Sequence, residues 1–178
     1  MASRILVVHY SRTGNTRQLA ERIARALGAD LEAIADPTRR GGVLGFLRSA
    51  YEALRDRRPA IGPPVHDPAA YSMVVIGTPV WSRSASTPVL SYLERHREVL
   101  GAVAFFCSCG STGGEHAFER MARVVGRSPA STLTVRESEL AGAAASIDRF
   151  VAAVRAAAAG AGDSPAPRPT RDGGPKFA

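Results

Sequence analysis

Between the apolar run Ile5-Leu6-Val7-Val8 and a helical pattern lies the stretch HYSRTGNTRQ, residues 9–18. Six of its ten residues carry a hydroxyl or an amide, and it holds one glycine and no lysine. A helix N-terminus offers unpaired N–H groups and roughly half a positive charge, which together attract an anion. Gly14 lets the backbone turn tightly, and Ser11, Thr13 and Thr16 add hydroxyl donors around Arg12 and Asn15. These types suit a terminal phosphate held by neutral donors; the alternative is an ordinary capped turn. A Walker loop ends in Gly-Lys-Ser/Thr and a dinucleotide fingerprint needs three spaced glycines. This stretch has neither, which disfavours nucleotide triphosphate hydrolysis.

Two further stretches follow apolar runs. Gly77-Thr78-Pro79-Val80-Trp81-Ser82-Arg83 carries the chain's only tryptophan. A flat heteroaromatic ring could stack there, its edge read by backbone groups, or the indole could simply pack at the rim of the core. The third stretch, CSCGSTGGEHAF from Cys107 onward, is rich in glycine and holds both cysteines.

Apolar runs of four or five residues at 5–8, 73–76 and 102–106, with shorter patterns at 31–34 and 131–135, read as five strands. Helical patterns at 16–27, 45–57, 88–97, 115–125 and 140–158 alternate with them. Strand–helix alternation predicts an α/β fold: a doubly wound five-stranded parallel sheet with helices on both faces, joined by right-handed crossovers. In such sheets ligands bind beyond the carboxyl ends of the strands, so all three loops belong to one edge. Residues 1–159 form the expected domain. The remainder, 160–178, is Gly-, Pro- and Ala-rich and reads as a disordered tail.

The 178 residues are 45% hydrophobic and 22% charged, ordinary for a globular protein. No apolar run approaches the ~20 residues of a membrane span, and no signal peptide is evident, so a cytoplasmic location is expected. The net charge of +7 raises nucleic-acid binding. Its only basic cluster is Arg39, Arg40, Arg48, Arg55, Arg57 and Arg58 against Glu52 and Asp56, with no groove-reading motif, so nucleic acid is an unlikely partner. That helical segment reads as a crossover with a solvated basic face, or as a docking surface for an acidic redox partner.

VVHYSRTGNTRQLAERIA together with VVIGTPVWSRSASTPVLSYL resembles the flavodoxin-like family, short-chain type, over residues 4–158. The resemblance implies strand order 2-1-3-4-5 and noncovalent FMN. It assigns the FMN phosphate to Ser11, Arg12, Thr13, Gly14, Asn15 and Thr16. The ring falls to Thr78, Pro79, Val80, Trp81 and Ser82, with Cys109, Gly110, Gly113 and Gly114 from the third loop. It further implies electron transfer through the flavin, to a small acceptor such as a quinone or to a redox partner protein. NAD(P)H is a possible donor. A flavodoxin-like domain that has lost FMN and serves as a binding module is the remaining alternative, disfavoured by the intact phosphate loop.

The sequence departs from that family twice. Residues 107–114 contain no aromatic to cover the second flavin face, and the glycines make the loop small and bendable. The chain is also basic where flavodoxins are typically acidic, with Arg12 and Arg83 in the flavin loops and Arg39 and Arg40 on the same edge. An arginine at ~6 Å with an effective dielectric of ~20 is worth up to ~3 kcal/mol, or ~120 mV for one electron, before screening. Its sign favours the reduced flavin.

Two candidates for catalysis remain. Cys109, with Cys107 two residues away, could exchange electrons with the flavin, although an extended pair ~6.6–6.8 Å apart sits at the limit for a disulfide. His116, at a helix start on the ligand edge, could donate a proton. The four histidines share no ligand spacing, and no metal site is expected.

Overall fold

The computed structural model describes residues 4–36 and 61–161. Its sheet is built on β1 (Ile5–His9), β2 (Asp30–Ala33), β3 (Met73–Trp81), β5 (Ala102–Cys109) and β6 (Thr132–Arg136), with the two-residue β4 (Ser84–Ala85) folding back on β3. The hydrogen-bonded order is β2-β1-β3-β5-β6, every pair parallel, and β4 pairs antiparallel with β3. With the hairpin strand left out, this is the expected order of 2-1-3-4-5.

Helices cover both faces, because parallel strands are apolar on both sides. On one side lie α1 (Asn15–Leu27) and the long α4 (Ala144–Ala161). Leu19, Ile23, Phe150 and Val154 pack there with Val7, Val75, Ala104 and Phe106 of the sheet. On the other lie α2 (Thr87–His96) and α3 (Gly114–Val125). There Val89, Leu93, Phe118 and Met121 meet Leu6, Val8, Ile76 and Phe105. The expected helix over 45–57 and its arginine cluster lie outside the described residues.

Two strands run further than their apolar patterns. β3 continues through Gly77, Thr78 and Pro79 to Trp81, so the second expected loop is largely strand, and its turn is only Ser82-Arg83. β5 continues to Cys109. The extension is held by pairing: Thr78 lies beside Cys107, Pro79 beside Ser108, and Cys109 beside Arg136. Glycine and proline read as turn residues in sequence, but neighbouring strands supply the ladder. Gly77 has a second reason to be glycine: a Cβ there would lie 2.0 Å from Phe106 Cζ, so the phenyl ring occupies the space above it.

The last helix also differs. A 3-10 segment, Glu137–Gly142, precedes α4, which runs through Ala161 and so two residues into the expected tail. Residues 162–178 lie outside the described part. Among the described residues, no helix is long and apolar enough to cross a membrane.

Candidate functional site

The carboxyl ends of β1, β3, β5 and β6 open onto one edge, and the segments 10–14, 82–83 and 110–113 follow them there. At the first, Tyr10 N–H extends the ladder to Gly77 O at 3.1 Å, and Gly14 then takes φ 102° at the start of α1. Only glycine adopts that angle cheaply. Ser11 Oγ accepts from Gly14 N at 3.1 Å and closes the loop. No side chain caps the helix, no acid lies in its first turn, and the first helical bond is Gln18 N to Gly14 O. The N–H groups of Asn15, Thr16 and Arg17 therefore lack helical partners. A helix start of this kind can hold an anion, and Thr13 is exposed at its rim.

Thr16 behaves differently from the other hydroxyls of the loop. It is buried, and its Oγ1 lies 2.7 Å from Ser108 Oγ on β5. Its side chain ties α1 to the sheet; its backbone N–H remains part of that helix start.

The second element is the β3–β4 hairpin. Both turn residues, Ser82 and Arg83, have positive φ (47° and 62°), the signature of a tight two-residue turn whose twist matches its strands. Trp81 is half-buried and stands edge-on to Tyr10, ring centroids 5.8 Å apart at 88°. Tyr10 in turn donates its O–H to Asp36 at 3.3 Å. Loop one and the hairpin thus meet through this aromatic pair. Thr78 is fully buried, and its hydroxyl is engaged with Ser86, accepting from Ser86 N at 2.9 Å at the entry to α2. Only the backbone of Thr78 can line a ligand.

The third loop is less free than its glycines suggest. Gly113 (φ 107°) opens α3, and a Cβ on it would stand 2.8 Å from Arg83 Cα; the hairpin rests on its bare backbone. Gly114 is the first residue of the helix, packed against Thr134 and Cys107. Only Gly110 stands open, with nothing within 4 Å of an added Cβ. Arg120 reaches Ser84 Oγ at 3.2 Å, and Arg83 donates to His116 Nε2 at 2.7 Å. With Nε2 accepting, the imidazole proton sits on Nδ1, 3.4 Å from Glu119 Oε2. Both ring nitrogens are engaged, so His116 must leave Arg83 before it can serve a bound molecule from Nε2.

Burial decides the chemistry of the cysteines. Cys107 is fully enclosed, and desolvation pushes its thiol up to about 12; Cys109, 1% exposed, is raised by the same cause. Both are free and neutral thiols, a poor state for thiolate chemistry. At Cys109 this burial disfavours the thiolate that thiol exchange requires.

A flavodoxin family profile matches residues 4–129. The chain belongs to the flavodoxin family. Among solved structures it is similar to a Lactobacillus acidophilus flavoprotein in complex with FMN, at 22% identity over 84% of this chain and 99% of that one, TM-score 0.68. A Bacteroides eggerthii protein held to be a flavoprotein gives 24%, 84%, 98% and 0.69. A short-chain flavodoxin associated with a bacterial microcompartment gives 11%, 88%, 99% and 0.55. At such identities the likeness is one of fold. No match was found among curated proteins.

Sequence reasoning for this flavodoxin-family chain missed three site residues. Tyr10 supports the tryptophan, Ser108 holds Thr16, and Ser86 occupies Thr78. None carries a local signal, since each acts on a partner made adjacent by the sheet. Two of the arginines near this edge also have local partners. Arg83 faces the His116–Glu119 pair, and Arg136 bonds Ser111 O at 3.3 Å and Glu139 at 3.4 Å. Arg39 and Arg40 lie outside the described residues. Among those described, no group of three or more metal-ligating side chains comes together.

Proposed function

We propose that this flavodoxin-family protein binds FMN at the described edge and passes electrons through it to a small acceptor such as a quinone. The observation that carries the reading is the first turn of α1: an uncapped, acid-free helix start behind a left-handed glycine, beside the aromatic pair Tyr10–Trp81. The backbone of Ser11, Arg12, Thr13, Gly14, Asn15 and Thr16, with the Thr13 hydroxyl, would hold the phosphate. Pro79, Val80, Trp81 and Ser82, with the Thr78 backbone, would line the ring from one side, and Cys109, Gly110 and Gly113 would flank its edge and leave the second face open; Gly114 would support that loop from within α3.

Bound FMN would supply reversible acceptance of one or two electrons. The protein's part is to orient the ring, fix the phosphate and control what reaches the exposed face. The absence of an aromatic from residues 107–114 supports access by a second molecule, which favours a small acceptor over a protein partner. Once released from Arg83, His116 Nε2 would take up a proton from solvent and pass it to the acceptor. The two free cysteines fit a reducing cytoplasm, and the segment 162–178 is proposed as a tail outside the domain.

The test is direct. The purified full-length protein is expected to be yellow, and its apoprotein to bind FMN more tightly than riboflavin. NADH or NADPH should bleach the colour without a partner, and added quinone should restore it. A yellow protein inert to both nucleotides and to quinone would instead support a carrier between proteins. A colourless protein with no affinity for FMN would overturn the proposal.

A further inference from the structure

We infer that the Ser108 hydroxyl is a positioning residue for phosphate recognition, acting through its 2.7 Å bond with Thr16. The inference rests on the FMN reading above. Helix α1 is anchored to the sheet by an apolar stripe that begins only at Leu19. Of the four residues before it, Asn15, Thr16, Arg17 and Gln18, only Thr16 is buried. The first turn, whose N–H groups meet the anion, therefore has one side chain reaching down to the sheet, and that side chain ends on Ser108.

Ser108 is set firmly. It sits in β5, beside Pro79 of β3 and Val135 of β6, and is itself 1% exposed. Alternation along the strand sends its side chain to the same face as Phe106, the α1 face. Val80 and Trp81 pack on the opposite face. A change to the Ser108 side chain thus acts first on the α1 face, at the phosphate end. Removing the serine oxygen alone strands the Thr16 hydroxyl in a buried site, which is costly, and the turn must shift to relieve it.

The discriminating readout is the preference for FMN over riboflavin, which a purely structural role for Ser108 would not change. Full-length protein stripped of flavin is titrated calorimetrically with each compound, as wild type, Ser108→Ala, Thr16→Val and the double variant. We expect each single variant to lose roughly 5- to 30-fold of the preference, with riboflavin affinity within about twofold of wild type. The double variant should lose no more than the larger single loss, because both changes break one contact. Equal weakening of both ligands, an unchanged preference, or multiplying losses would overturn the inference. Should Ser108→Ala fail to fold, as judged by its thermal melt, Ser108→Cys, which keeps the shape but loses the strong hydroxyl bond to Thr16, carries the test, and a retained preference there overturns it. A wild type without preference for FMN would refute the FMN reading itself, and that outcome is visible before any variant is made.

Discussion

Gly77→Ala is the substitution whose cost follows most directly from the structure. The position is inside β3, between β1 and β5, and an added Cβ would lie 2.0, 2.4 and 2.7 Å from three atoms of the Phe106 ring. Restoring an ordinary contact of 3.4 Å requires the nearest ring atom to retreat by about 1.4 Å. Phe106 is fully buried in the cluster beneath α1 and α4, so the ring has no empty space to enter. Overpacking of this kind costs ~1–3 kcal/mol, occasionally more. With an m-value of ~2 kcal/mol/M, the urea midpoint should fall by about 1 M, and the thermal midpoint by roughly 4–10 °C. The cause is isolated by shrinking the ring. Phe106→Leu alone should destabilise by leaving a cavity, yet in the Gly77→Ala background it should cost far less or restore stability. That coupling is the signature of direct contact. A Gly77→Ala protein as stable as wild type, or strictly additive costs in the double variant, would refute the reasoning.

Gly113→Ala should destabilise by ~1–3 kcal/mol, because φ 107° and a 2.8 Å approach to Arg83 Cα both exclude a side chain; denaturant titration checks this, and a neutral result would mean the hairpin does not rest there. Cys107 should resist thiol reagents in the native protein at pH 8 and react on unfolding. Burial pushes this thiol up to about 12, above an ordinary thiol, so the unfolded chain loses the proton first, and this group's contribution to stability falls as pH rises from the ordinary thiol range towards 12. His9 is held neutral by burial, its pKa lowered from 6.5. The unfolded state then gains a proton first on acidification, and His9→Asn should flatten the loss of stability that begins below pH 6.5. Arg83→Gln should lower the midpoint potential of bound FMN by only about 20 mV, the value for an exposed charge ~10 Å away in water, and high salt should abolish the shift. A salt-independent shift above 100 mV would place the guanidinium against the ring.

The doubly wound parallel sheet was legible because three apolar runs and two shorter patterns alternate with helical stripes; its strand order came from the resemblance to the flavodoxin-like family, not from the pattern. The candidate anion site was legible because its parts are consecutive: a glycine that must turn, followed by a helix start without a cap. The second loop was misread as a loop for a physical reason. Gly77 and Pro79 are turn residues by local preference, but β1 and β5 flank them and the Phe106 ring fills the glycine's missing side chain. The same limit hid Tyr10 and Ser108. A tyrosine after a strand and a serine between cysteines look unremarkable until the ladder brings them to Trp81 and Thr16.

The arginine content misleads for a related reason. Charge counted along the chain treats every guanidinium as part of a field, but here several are used as hydrogen-bond donors to backbone carbonyls. Arg22 bonds Leu140 O, Arg155 bonds Ala26 O, Arg95 takes Ile61 O and Gly62 O, and Arg127 gathers the carbonyls of Arg97, Leu100 and Gly101. The planar guanidinium suits this, since several N–H groups point outward in a fixed fork. Arg155 thus joins α4 to α1, Arg22 ties α1 to the 3-10 segment Glu137–Gly142, Arg95 ties α2 to residues 61–62, and Arg127, just past α3, holds the connection between α2 and β5. At that edge Arg83 and Arg136 each sit beside a glutamate-bearing helix or turn. A net charge of +7 is thus a poor guide to the field at this edge, where Arg136 is paired with Glu139 and Arg83 meets His116 while Arg12 lies exposed in the first loop.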